Sequence, residues 1–315
     1  ANVNASTTAS WNASAGFDPI GDGTSEFIGA FDGLGHVITG LTINRPLEGN
    51  VGLFGRVSGA TLGNVGLNGG SVIGNGWHVG GLAGLIQSST ISNSYATGDV
   101  TGDVGNRQYI GGLVGVSAYN STITNSYATG DVTGYGFVGG LVGAARSNTT
   151  ITKSYATGDV VGTNYIGGLA GVLDGKNTIS DSYATGDVTG LGGSSLHIGG
   201  LAGSIKSASS TISNSYATGD VTGYGFVGGL AGTNKSDITY SYATGSVTGA
   251  GYIGGLVGQN YSDITYSYAT GSVTGTLYGF GGLVGANLGA VTDSFWDTET
   301  TGQSSSSVGG SGLTT

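Results

Sequence analysis

Cysteine and methionine are both absent from this 315-residue chain, and proline occurs only twice. The first absence removes disulfides, thiol nucleophiles and thiolate metal sites from consideration, and it is compatible with an exported bacterial protein. So little proline beside 68 glycines excludes both a collagen triple helix and a proline-rich linker. Charged residues make up only 8% of the chain, with 18 acidic against 8 basic side chains and a net charge of −10. That balance argues against binding a phosphate backbone, so nucleic acid is not an expected partner. No apolar run approaches the roughly 20 residues that span a bilayer. The first residues, ANVNASTTAS, have neither the basic nor the apolar stretch of a signal peptide, so any export signal is expected to be already removed. A soluble, exported protein is expected.

Histidine is also scarce. His36, His78 and His197 stand in different parts of the chain, and none has a Cys, His or acidic neighbour at a metal-binding spacing. No G-x-S-x-G elbow or phosphate loop stands in a strand-to-helix context, and the many GxG strings follow from glycine content. No enzymatic activity is expected. A polysaccharide-cleaving β-helix enzyme, which would cluster Asp, Lys and Arg on one face, is the weakest alternative because the basic residues are scattered.

What the chain has in abundance is repetition. The phrase SYATG, then D or S, then V places Tyr95, Tyr127, Tyr155, Tyr183, Tyr216, Tyr242 and Tyr268 in register, with Phe295 as a degraded eighth copy, at spacings of 32, 28, 28, 33, 26, 26 and 27 residues. A period of this size marks units that bury apolar surface only against their neighbours. A second motif, V/I/F-G-G-L-V/A-G, aligns Leu82, Leu113, Leu141, Leu169, Leu201, Leu230, Leu256 and Leu283, with a divergent copy at Val51–Gly55. A third, T/D-I/V-T/S, aligns Ile91, Ile123, Ile151, Ile179, Ile212, Ile238, Ile264 and Val291.

Three pieces of four to six residues per period are too short and too rich in glycine for helices. They predict an all-β fold, a parallel β-helix (β-solenoid) of about ten coils of ~27 residues, stacked at about 4.8 Å into a rod on the order of 50 Å long. The Ile and Leu ladders, with Val100, Val132, Val160, Val188, Val221, Val247 and Val273, are the candidate core. Ser94 and Ala96 and their equivalents keep a small size suited to a narrow inner corner. Alternation then turns the intervening Tyr outward, whereas hiding the ring favours Tyr inside; both placements remain open. Flanking glycines are expected at corners that need positive φ or close backbone approach. Residues 1–50 are read as an N-terminal cap and opening coils, with Trp11 and Phe17 covering the first coil. Residues 51–302 are the repeats. Residues 303–315 are a polar tail expected to pack on its own rod or on a neighbouring subunit.

The combination of GGLVG segments with NSYATGDVTG, and the ending SFWDTETTGQ, resembles the GLUG-motif repeats of bacterial surface proteins, found in filamentous-haemagglutinin-like adhesins and beside the peptidase domain of some IgA-cleaving metalloproteases. The resemblance covers about residues 27 to 302. It implies an exported, surface-associated repeat module and the right hand of the coil, and it implies no catalytic residues. The H-E-x-x-H signature is absent, so peptidase activity does not carry over.

Two outer columns are candidate sites. His78, Tyr109, Phe137, Tyr165, His197, Phe226 and Tyr252 each precede an inward residue of the GGL segment, so alternation points seven rings outward in a stacked stripe. This stripe is either a self-stabilising ladder or a platform for sugar rings or another subunit. The second column is Asp99, Asp131, Asp159, Asp187 and Asp220, continued by Ser246 and Ser272. Capping of the adjacent glycine turn explains it, with calcium shared between coils as the lesser reading; no other cofactor is expected. Thr122 to Thr124 and Thr178 to Ser180 suggest threonine rows of the ice-binding kind, interrupted by Asp237 and Asp263. Sequons at Asn120 and Asn148 fall in turns. The turn after GGLxG holds Arg146, Lys176, Lys206 and Lys235, and longer loops lie at Asp103 to Tyr109 and Leu191 to His197.

The reading is therefore an extracellular or cell-surface structural or adhesive module of prokaryotic type. It displays side-chain columns to glycans, a host or abiotic surface, other copies of itself or a longer parent chain. The alternative is a subunit of a head-to-tail extracellular fibre. Ice binding and a polysaccharide-active enzyme are lesser alternatives.

Overall fold

A computed structural model describes residues 1–102, 108–193, 196–277, 279–307 and 309–314. It is an all-β parallel solenoid of about nine full turns, close to the ten expected, with sheets of 12, 16, 9 and 10 strands running its length. One coil is traced by Thr122–Thr124 on what we call the Ile face, Tyr127–Ala128 on the Tyr face, Val132–Thr133 and Gly136–Gly139 on the Val face, and Val142–Arg146 on the Gly-Leu face. In two coils the Val-face segments merge into single strands, Val221–Gly228 and Val247–Gly254. Each residue pairs with its equivalent one coil away, as in Ile91 with Ile123 and Ile123 with Ile151. The β-branched residues of these short strands suit a pleated surface, and each coil supplies the hydrogen-bond partners of the next.

The inward ladders fill the interior. Ile91, Ile123, Ile151, Leu113, Leu141, Val100 and Val132 have no solvent exposure, and each such side chain contributes roughly 1.5–3 kcal/mol before chain entropy is subtracted. Where the interior narrows, size is enforced by contact. A Cβ on Gly140, in a Gly-Gly-Leu turn, would come within 2.8 Å of the Ala156 Cβ on the Tyr face. The glycines of the Gly-Gly-Leu turn thus serve close approach, while others in the repeats, such as Gly136 (103°) and Gly225 (100°), take positive φ. Positive φ at the corner between the Ile and Tyr faces is taken instead by a non-glycine residue in every coil, among them Asn93 (49°), Asn125 (48°), Lys153 (49°), Asp181 (51°) and Tyr240 (49°).

The placement of the SYATG tyrosine is settled by its neighbours. Ser94, Ser126, Ser154, Ser182, Ser215, Ser241 and Ser267 are buried and form an internal ladder. The hydroxyl of Ser154 donates to the Thr152 carbonyl at 2.9 Å and accepts the N–H of Ser126 at 3.2 Å, and the pattern recurs coil after coil. With Ser and Ala turned in and satisfied, the intervening Tyr stands outside.

Both ends are folded onto the rod. Val3–Asn4 adds a rung beneath Val37–Thr39. Phe17, Phe27 and Phe31 pack against the first core layer, while Trp11 remains 48% exposed beside an apolar cavity of about 240 Å³ lined by Phe17, Phe31 and Leu41. At the other end Trp296 turns inward where the repeats have Ala, and its indole N–H donates to the Gln303 carbonyl at 2.9 Å. Asp297 caps a short α-helix, Thr298–Thr301. The tail then returns over the last coil, and Ser311–Leu313 pairs in parallel with Phe295–Asp297.

Candidate functional site

The Asp column lies at the corner where the Tyr face passes into the Val face, with every carboxylate exposed. The N–H of Asp131 donates to Asp99 at 3.0 Å, that of Asp159 to Asp131 at 2.9 Å, that of Asp187 to Asp159 at 2.9 Å and that of Asp220 to Asp187 at 2.8 Å; Ser246 closes the series on Asp220 at 2.7 Å. Like charges one coil apart are tolerated because a backbone donor sits between each pair. Among the described residues no group of three His, Cys, Asp or Glu side chains is arranged to hold a metal.

The aromatic column is stacked as its alternation requires, but it is not an open platform. Tyr109, Phe137, Tyr165 and His197 follow one another at centroid distances of 4.6–4.8 Å, and Phe226 and Tyr252 continue the column at 5.1 and 5.8 Å; His78 begins it at 5.6 Å, tilted by 31°. The Gly-Gly-Leu turn folds the Gly-Leu face back, so that its outer side chains meet these rings. Leu85, Val116, Ala118, Ala144 and Val172 form a second buried cluster against Tyr109, Phe137 and Tyr165. Val114–Ala118 is consequently buried on both sides. Of the seven, only Tyr252 reaches the exposed range, at 36%.

Cations cover the mouth of this notch. The Arg146 guanidinium lies 4.4 Å from the Tyr109 ring centroid and donates to its hydroxyl, and the Lys206 ammonium lies 4.0 Å from the Tyr165 centroid. Burial, helped by Arg146 and Arg56, pushes the His78 pKa down to about 4; burial, helped by Lys206 and Lys235, does the same to His197. The Nδ1 atoms of both rings are in hydrogen bonds of 2.6 Å, to Asn50 Oδ1 and Thr233 Oγ1. Both histidines are therefore neutral members of the stack.

The ladder that does face outward was not singled out as a site. Tyr95, Tyr127, Tyr155, Tyr183, Tyr216, Tyr242 and Tyr268 stack at 4.8–4.9 Å with their planes within 2–6° of parallel. The inward Ser and Ala on either side of each Tyr were the signal. Burial and then the neighbouring phenols raise the pKa of Tyr127, Tyr155, Tyr183 and Tyr242. Rings within such a stack share their faces with each other, so the ladder presents ring edges and a row of hydroxyls. A shorter pair, Tyr240 and Tyr266, stacks at 4.8 Å along the adjacent corner.

Other candidates fall into place around these columns. The threonine rows lie in register on the Ile face, Thr90, Thr122, Thr150, Thr178 and Thr211 forming one of them. Asn120 and Asn148 are exposed at the turn before that face and hydrogen-bond each other at 2.6 Å. The longer loops fall partly on residues 103–107 and 194–195, which lie outside the described residues.

The repeat geometry has a counterpart among known families. The profile of the GLUG motif matches residues 75–101, 106–133, 162–189, 194–222, 223–248 and 249–274, more than half of the chain. The chain belongs to the GLUG motif family. The coil between the second and third GLUG matches has the same four faces, with Ile151, Tyr155 and Phe137 in register with their neighbours. Over 126 residues, 38% of this chain, the sequence is 43% identical to Halomucin of Haloquadratum walsbyi, of which the match covers 1%. No solved structure matches. Among the described residues no helix is long and apolar enough to cross a membrane.

Proposed function

We propose that this chain is an extracellular, surface-associated rod that displays side-chain columns to a glycan or a surface and performs no catalytic step. The observation that carries the reading is the outward tyrosine ladder, seven phenols held at one pitch by a rigid scaffold. A phenol both donates and accepts hydrogen bonds. A row of them suits a partner with hydroxyls repeating along its length, such as a polysaccharide lying along the rod, better than a sugar stacked face-on. Similarity to Halomucin supports a surface setting, as do the absence of cysteine and the acidic, weakly charged composition.

A glycan array with the wild type and with Tyr127→Ser/Tyr155→Ser/Tyr183→Ser tests it. The variant is expected to lose at least tenfold in apparent affinity for any glycan the wild type binds; equal binding by both would remove the ladder from the reading.

A head-to-tail fibre draws on one specific feature. The first and last rungs of the Tyr face, Val3–Asn4 and Ser311–Leu313, are exposed edges of the same parallel sheet. Such edges can pair across copies, and filaments in electron micrographs of the purified chain would favour this reading over an isolated rod.

A further inference from the structure

Charge on this rod is sorted by corner. Asp99, Asp131, Asp159, Asp187 and Asp220 occupy five consecutive coils at the junction of the Tyr and Val faces, all exposed. Arg146, Lys176, Lys206 and Lys235 occupy four consecutive coils at the turn from the Gly-Leu face to the Ile face, and the three lysines are exposed. The two series overlap over four coils, the coil of Asp99 having no cation at the matching turn. Each of the four coils with a cation at one corner has an Asp at the other, and where the Asp column becomes Ser246 and Ser272 the matching turns carry no cation.

Nothing within one rod joins them. The whole of the Ile and Tyr faces separates the corners, and among the described residues the ion pairs involve only Arg45 and Arg56. The Asp hydrogen bonds described above each use one carboxylate oxygen, Oδ1. Other carboxylates do stand near the cations: Asp174 is in register with Arg146, and Asp237 opens the Ile-face strand after Lys235.

We propose that rods associate side by side, the basic ladder of one copy lying on the acidic ladder of the next. The acidic ladder repeats at the coil pitch of about 4.8 Å. On the basic side Arg146, Lys206 and Lys235 follow one register position, with Asp174 standing there in the intervening coil and Lys176 two residues further along the turn. Placing one pair thus leaves the others within a long side chain's reach. A single exposed ion pair contributes little, but the three exposed lysines fixed to one scaffold, with Arg146 partly engaged by Tyr109, act as a multivalent contact. Because unlike corners meet, the contact does not close on itself, and repetition builds a layer of parallel rods. The tyrosine ladder takes no part, so this association and glycan binding can fail independently.

Sedimentation velocity of the full chain over a range of concentrations tests the proposal, in about 10 mM and about 1 M salt, where the Debye length falls from about 30 to about 3 Å. The wild type is expected to assemble with rising concentration in low salt and to be monomeric in high salt. Lys176→Glu/Lys206→Glu/Lys235→Glu, whose substitutions sit on exposed turn positions, is expected to remain monomeric in both. It keeps its acidic ladder, so adding it to the wild type at equal concentration should shorten the wild-type assemblies by accepting a contact it cannot pass on. A wild type that stays monomeric in low salt overturns the proposal. So does a triple variant that assembles like the wild type, or one that leaves wild-type assemblies unchanged.

Discussion

The backbone N–H of Asp131 donates to the carboxylate of Asp99 across one coil, at 3.0 Å. The contact converts a column of like charges into a chain of charge-assisted hydrogen bonds. It also supplies what a bound cation would otherwise have to supply, a positive partner between successive carboxylates. Melting temperature is therefore expected to be the same in calcium and in chelator, and a rise with calcium would show that a cation still enters the column. Asp159→Ser, which copies Ser246, is expected to cost under about 1 kcal/mol by denaturant titration, because the freed N–H remains open to water.

Inside the rod the balance is different. Ser154 Oγ accepts from the N–H of Ser126 in a buried bond and donates to the carbonyl of the half-buried Thr152. Ser154→Ala leaves the buried Ser126 N–H without a partner, while the Thr152 carbonyl keeps the N–H of Asn125 at 3.2 Å, and a loss of about 1–3 kcal/mol is expected in urea unfolding. The cost should exceed that of Asp159→Ser, although the deleted group is smaller and uncharged.

Lys153 carries a side chain at φ 49°, in a column held elsewhere largely by Asn and Asp. The left-handed region costs an ordinary L-residue roughly 1–2 kcal/mol, and less for Asn. Lys153→Asn is expected to stabilise the chain by up to about 1 kcal/mol, seen as a higher denaturant midpoint with an unchanged slope. Asn125→Val, which puts a β-branched residue in the same conformation, should do the opposite.

His78 and His197 tie stability to pH. Their folded-state pKa is depressed to about 4 from 6.5, so between these values the unfolded chain binds more protons than the folded one. Stability is full above about pH 6.5 and falls as the pH drops toward 4. His197→Phe, which copies Phe226 one coil on, should flatten that part of a plot of melting temperature against pH. An unchanged slope would mean that His197 is protonated in the folded stack.

Much of this fold could be read from the chain because a solenoid writes its contacts into its period. Residues one period apart touch, so Ile91 and Ile123, or Asp99 and Asp131, are neighbours as soon as the repeat is aligned. The stacking of the rings from His78 to Tyr252 followed in the same way. Their exposure did not, because it depends on contact between different positions of the repeat. Tyr109 and Val116 both alternate outward, and only the bend at the Gly-Gly-Leu turn brings their outer surfaces together. Glycines were expected at corners for positive φ or close approach, and Gly136 and Gly140 serve these ends, but the positive φ between the Ile and Tyr faces is held by Asn93 and its equivalents.

The sequence by itself determined the period, the parallel stacking, the identity of the core ladders and the composition of each column. All of these need only translation along the rod, and equal side chains at equal phase impose that translation. Tertiary structure alone decided which way each coil bends between its faces. That bend buried one aromatic column against a second small core and left the tyrosines outside, because whether a ring meets solvent or another face depends on the angle between strands that the repeat does not encode.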